Sequence, residues 1–256
     1  MHKQKARALM HERRECVSAV VAGVDGCKAG WLCVVLDART GAPQGAFIKE
    51  RLAEIAAFEA AVLIAIDVPM GVENITTPLG RGCDTALRRE LRRRQSSVFA
   101  VPARAALAET DYRLACDAAL AHSEPRRMVS KQCFHIFPKI READALITPE
   151  LQTRIVECHP EGAFWAMNGK QPLAEPKKLK SRGHPPGLAL RRALLEAAGY
   201  PAAFLAARRF KVSHAGEDDF LDACAWTARR VLRGEAHRFP DEPRIDPRGL
   251  RMEIWA

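Results

Sequence analysis

The sequence predicts an α/β domain whose sheet has parallel central strands. Three observations lead there. Short apolar runs recur and stop at turn residues, as buried strands do. Segments with helical spacing lie between those runs, and strands separated by helices favour parallel pairing. Finally, the longest apolar runs, Val17–Val24 and Ala60–Ile66, fall far short of the ~20 residues that span a membrane. The composition, 48% apolar and 28% charged over 256 residues, is that of a globular chain with one sizeable core and excludes a disordered one.

The elements follow in order. Residues 1–16 form a basic extension without the apolar centre of a secretory signal. Ala19–Val24 reads as a buried strand stopped by Asp25-Gly26, Trp31–Leu36 as its hairpin partner and Ala46–Lys49 as a third strand. Leu52–Ala60 has helical spacing, and Val62–Ile66 is a buried strand ended by Asp67-Val68-Pro69. Cys83–Arg92, Tyr112–Ala121, Val129–His135 and Lys139–Leu146 read as helices and make up an insertion at about 70–153. Ile155-Val156 opens another short strand, which ends at Glu157. Leu173–Gly187, rich in Lys, Pro and Gly, reads as a loop. Leu188–Ala198 and Glu217–Arg233 are helices closed by Gly199 and Gly234. Leu250–Trp255 is a last edge strand. Residues 17–256 thus read as a single domain.

Lys and Arg number 40 against 31 Asp and Glu, a net +9 that suits a polyanionic partner. The eight cysteines form no C-x-x-C and sit largely in apolar runs, so they read as reduced and the protein as cytoplasmic.

Three short strands end in an acid: Asp25, Asp67 and Glu157. Parallel strands place such ends on one sheet edge, where open α/β sheets carry their sites. Asp218, Asp219 and Asp222 add a fourth source, with Asp218 and Asp222 on one helix face. Acids gathered in one cleft repel each other unless some are protonated or a cation neutralises them. Hard carboxylate ligands select Mg²⁺ or Mn²⁺. The competing reading takes each Asp as a turn former or a helix N-terminal charge.

Several ordered motifs are familiar. They are Gly23-Val24-Asp25-Gly26-Cys27-Lys28-Ala29-Gly30-Trp31, Ala65-Ile66-Asp67-Val68-Pro69-Met70-Gly71, and Arg94-Gln95-Ser96-Ser97-Val98-Phe99 with Pro102 and Arg104. Further on come Ser130-Lys131-Gln132, Pro138-Lys139-Ile140, Glu157-Cys158-His159-Pro160-Glu161 and Asp218-Asp219-Phe220-Leu221-Asp222-Ala223. Together they resemble the domain-of-unknown-function family 429, described as predicted RNase H-like nucleases. The resemblance implies an RNase H-like mixed sheet in strand order 3-2-1-4-5, flanked by helices. It places Asp25, Asp67 and the acids around Asp222 at that superfamily's metal positions, with Asp219 and Asp222 in a D-x-x-D-A like that of Holliday-junction resolvases. Those resolvases carry Glu where this chain has Asp67.

The expected activity is therefore Mg²⁺- or Mn²⁺-dependent phosphodiester hydrolysis on nucleic acid. Asp25, Asp67, Asp219 and Asp222 are the catalytic candidates, and Asp25, Asp67, Glu157, Asp218 and Asp222 the metal ligands. Arg94, Ser96, Ser97, Arg104, Gln132 and Lys139 are candidate substrate donors, offering guanidinium, hydroxyl and amide groups to an anion. An actin-like phosphotransferase and a non-catalytic RNase H-like binding module remain as alternatives. His159 reads either as catalytic or as a structural histidine.

Overall fold

The computed structural model describes residues 19–256 except 78, 181, 208 and 225, so the basic extension lies outside the described residues. Strands β1 (Val20–Cys27), β2 (Gly30–Asp37) and β3 (Pro43–Lys49) pair antiparallel in a meander. Helix α1 (Leu52–Ala56) leads to β4 (Ala61–Ile66), which pairs parallel to β1, and β5 (Ile155–Glu157) pairs parallel to β4. The sheet order is β3-β2-β1-β4-β5, as the resemblance implies.

The tight β1–β2 turn depends on one glycine. Gly30 has φ +128°, and a Cβ there would stand 2.2 Å from the Lys49 carbonyl oxygen.

Between β4 and β5 the chain forms α2 (Gly82–Leu91), a 3₁₀ turn at Arg92–Ser97, α3 (Arg104–Ala108), α4 (Tyr112–Ala121), α5 (Lys131–His135) and α6 (Phe137–Leu146). After β5 come α7 (Pro160–Met167), the small hairpin of β6 (Lys178–Leu179) and β7 (Arg182–Gly183), then α8 (Pro185–Ala197), α9 (Ala202–Ala206), α10 (Glu217–Asp222) and α11 (Trp226–Leu232). The final hairpin, β8 (Arg238–Ile245) and β9 (Arg251–Trp255), meets the sheet edge through a parallel bridge between Cys158 and Trp255.

Strand side chains alternate between faces, and the two cores follow that period. Val20, Ala22 and Val24 join Trp31, Ile64, Ile66 and the insertion's Phe137 and Ile140 on one face. Val21, Leu63, Ala65 and Val156 join Phe164, Leu195, Phe220 and Leu221 from the C-terminal helices on the other. Asp25 and Asp67 follow the parity of Val21 and Ala65, so they project toward the face where α10 packs.

The sequence expectation of one helix over Glu217–Arg233 is corrected to two, and Leu52–Ala60 to a helix that ends at Ala56. The Leu173–Gly187 loop contains the β6–β7 hairpin. Strand β8 was not expected, because Pro240 and Pro243 interrupt its sequence. Seven cysteines of the described residues are free and buried. No helix among those residues is long and apolar enough to cross a membrane.

Candidate active site

A cleft of about 560 Å³ opens at the ends of β1 and β4. Asp25, Asp67, Lys139, His159 and Lys177 are among its lining. Asp25 is the last acid before the β1–β2 turn, and its side chain is buried. Asp67 leaves β4 with its N–H bonded to the Val24 carbonyl at 2.9 Å, which ties the two acid-bearing strand ends together. Asp222 comes from the last residue of α10, with a carboxylate fully withdrawn from solvent.

Lys177 joins them. Its ammonium is bonded to Asp222 Oδ2 and also feels Asp25 and Asp67. Burial works against the ammonium, but these three acids together hold its pKa above the ordinary lysine value. Burial, with repulsion from Asp67 and Asp222, pushes the Asp25 carboxyl well above the usual range. Burial likewise raises Asp222 to about 6, although Lys177 opposes the shift.

These shifts give stability a pH dependence of definite sign. A carboxyl that holds its proton more tightly when folded stabilises the native state at low pH, and that stability is lost as pH rises through the folded pKa. For Asp222 the window runs from about pH 4 to pH 7. In chelator, the parent protein is expected to lose about 1.4 kcal/mol relative to Asp222→Asn between pH 5 and pH 7.5, read from urea unfolding. Parallel curves for the two proteins would refute a strained, buried Asp222.

The remaining acids have other partners. Both oxygens of Glu157 accept from Arg81, at 2.6 and 2.8 Å, and Oε2 also accepts from the Met70 N–H at 2.7 Å. The same guanidinium donates to Asp84 at 2.7 Å and to the Met70 carbonyl at 2.9 Å. Glu157 therefore serves this buried Arg81 junction and does not stand open as a ligand. Asp219 accepts from the Gly216 N–H at 2.8 Å, a cap on the start of α10. Asp218 pairs with Lys178 at 2.5 Å.

The six candidate donors divide. Lys139 and Ser97 line the acid cleft. The Lys139 ammonium donates to the Gly30 carbonyl and lies 4.2 Å from the centre of the Trp31 ring, and burial lowers its pKa. Arg94 faces Glu161 with Nε 3.7 Å from the carboxylate. Arg104 does not line the cleft. It bridges Asp144 and Asp246, the latter at 2.7 Å, and so binds the insertion to the loop after β8. Ser96 and Gln132 line a different cavity. His159 Nε2 lies 3.3 Å from the Ser97 carbonyl, while its buried Nδ1 has no hydrogen-bond partner.

Sequence reasoning missed Lys177, Arg81 and Arg191. Arg191 is wholly buried and paired with Glu161, and it holds the Lys177 segment through the Glu175 carbonyl at 3.2 Å. Nothing local marks these three residues. Lys177 looks like one basic residue in a basic loop.

The donor set suits a divalent cation in its chemistry. It is made of carboxylates, it repels itself, and Asp222 Oδ1 is buried without a hydrogen-bond partner. It is not closed to ion spacing. Among the described residues no three His, Cys, Asp or Glu side chains stand near enough to hold an ion, and Lys177 supplies positive charge instead.

Fold and site together define a mixed α/β protein with an RNase H-like sheet order and an acid cluster at the ends of its parallel strands. The chain belongs to the family of proteins of unknown function designated DUF429, whose model matches residues 23–245. Comparison with curated proteins returns no match, and neither does comparison with solved structures.

Proposed function

We propose that the cleft is a metal-assisted phosphodiesterase site acting on nucleic acid. The observation that carries this reading is a cleft lined by Asp25 and Asp67 from two strand ends, with Lys139 and Lys177 among its other charged groups, and with buried Asp222 of α10 behind it, bonded to Lys177 and close enough to raise the Asp25 carboxyl. For Asp25, Asp67 and Asp222 to hold Mg²⁺ or Mn²⁺, their carboxylates would have to close on the ion and Asp222 would have to release Lys177. When bound, the ion lowers the pKa of a water and neutralises charge at phosphorus. Water adds to phosphorus, one P–O ester bond breaks, and the departing alkoxide takes up a proton, giving a phosphomonoester and an alcohol.

The chain's own groups do the rest. Lys139, held by Gly30 and Trp31, and Lys177, held by Asp222, present ammonium groups to backbone phosphates. The Arg81 junction fixes β5 beside β4, so the cleft floor is preorganised. His159 lines the same cleft, with Nε2 3.3 Å from the Ser97 carbonyl, and its imidazole is the ring that would hold the leaving-group proton.

A binding module without turnover is the second reading. It draws on the Lys177–Asp222 pair, which satisfies part of the cluster without metal. One experiment separates the two: labelled DNA, RNA, hybrid and branched substrates incubated with Mg²⁺ or Mn²⁺, with ATP turnover measured alongside. Phosphodiester cleavage that requires the metal and is lost in Asp25→Asn supports the proposal. Binding without cleavage across the panel favours the module, and ATP hydrolysis or phosphoryl transfer without cleavage points to a phosphotransferase.

A further inference from the structure

Ser96 and Gln132 lie outside the acid cleft, in a second cavity of about 620 Å³. A thin wall separates the two: Val98, Phe99 and Val101 line both. The volume falls within the range of small-molecule sites.

The lining of the second cavity differs in kind from that of the first. No Asp or Glu belongs to it among the described residues. Two guanidinium groups do, Arg88 and Arg127, beside the amides of Gln95 and Gln132. Arg88 is fixed in place, donating Nε and Nη2 to the Val98 carbonyl, the former at 2.9 Å. Burial lowers its pKa; Asp84 opposes that shift and Arg127 adds to it, so the two guanidinium groups feel one another. The rest of the wall mixes hydroxyl side chains (Thr76, Thr77, Ser96, Ser123 and Ser130) with apolar and aromatic ones, among them half-buried Phe99 and buried Val129.

Each class of ligand meets this lining differently. A cation would be repelled. A purely apolar ligand would strip water from amides and guanidinium groups without replacing their hydrogen bonds. A bare oxyanion would leave the apolar wall unused. A ligand with a flat heteroaromatic body, hydrogen-bonding edges and a negative charge satisfies all three kinds of group.

We propose that this cavity binds a single nucleotide, with the base against Phe99 and Val129, its edge read by Gln95 and Gln132, and its phosphate near Arg88 and Arg127. Aromatic packing and amide contacts to base edges are how unstacked bases are recognised. On a polymer the occupant is the nucleotide next to the one in the acid cleft, across the Val98–Val101 wall. That placement on a polymer rests on the phosphodiesterase reading, whereas nucleotide binding itself does not.

The test is calorimetric titration in chelator, without metal, of the common ribo- and deoxyribonucleoside 5′-monophosphates, their nucleosides and inorganic phosphate. The proteins are the parent, Gln132→Ala and Asp25→Asn. Gln132 is exposed at the start of a short helix, so its replacement leaves the melt unchanged. At least one monophosphate is expected to bind the parent ~10-fold or more tighter than its nucleoside and than inorganic phosphate. Gln132→Ala is expected to weaken it ~10-fold, about 1.4 kcal/mol, and Asp25→Asn to leave it unchanged.

Three results overturn the proposal: no monophosphate binds better than phosphate, Gln132→Ala binds as the parent does, or Asp25→Asn alone abolishes binding, which would put the ligand in the acid cleft. Because no metal or turnover enters, a failed nuclease panel leaves this result standing, and the reverse also holds.

Discussion

Arg81→Met is expected to destabilise the protein by about 3 to 5 kcal/mol, the range for removing one partner of a buried ion pair. Arg81 is 1% exposed and donates to Glu157, Asp84 and two backbone carbonyls. Methionine fills most of the volume, so the loss comes from charge. Two buried carboxylates would remain with no cation between them, and burial already raises Glu157 to about 7 with Arg81 present. Arg81→Lys is expected to recover only part of the loss, because an ammonium cannot match the planar fork that meets both acids. Urea unfolding of Arg81→Met, Glu157→Gln and the double variant forms the cycle that isolates the pair. A cost below about 1 kcal/mol for Arg81→Met would show that the junction contributes little and that β5 is held by its apolar contacts alone.

The second large effect is expected at Asp25. On the proposed phosphodiesterase reading, Asp25→Asn is expected to reduce metal-dependent cleavage by a factor on the order of 10³, the scale of losing one electrostatic stabiliser from an active site. Its effect on folding runs the other way. The change is nearly isosteric and removes one negative charge from a self-repelling group, so without metal the variant should melt at or above the parent temperature. With millimolar Mn²⁺ the parent should gain stability through binding to the native state, and the variant much less. A structural, hydrogen-bonded aspartate predicts lost stability without metal and no difference in metal response. Equal Mn²⁺-induced shifts in the two proteins would remove Asp25 from the ligand set.

The strand ends were legible in the sequence because burial on both sheet faces makes a strand an apolar run and a turn residue stops it. Asp25 and Asp67 stand out for that reason, and the sheet order came from the motif resemblance. The partners of the charged groups were not legible. Glu157 and Arg81 are 76 residues apart, and Arg104 and Asp246 are 142 apart. An ion pair across such a separation leaves no periodicity, so Glu157 looked like a third strand-end ligand, and Arg104 stayed open between a phosphate contact and the carboxylate pairing it makes. The division of the donors between two cavities was hidden for a related reason. Adjacent Ser96 and Ser97 reach different cavities because the 3₁₀ turn at Arg92–Ser97 rotates one past the other, and Gln132 and Lys139 part because they lie on successive helices, α5 and α6; spacing alone reports neither.

Trp31 lies at the centre of one more consequence. Its indole N–H donates to Glu142 at 2.8 Å, the Lys139 ammonium sits over its ring, and it lines the acid cleft while remaining buried. The other three tryptophans are engaged elsewhere: Trp165 with His237 and Phe239, Trp226 with Arg230 and Trp255 with Arg238. A polyanion that draws Lys139 off the ring removes a point charge from one face of a single fluorophore. The cleft therefore carries its own optical reporter, whose emission follows the position of one lysine without any added label.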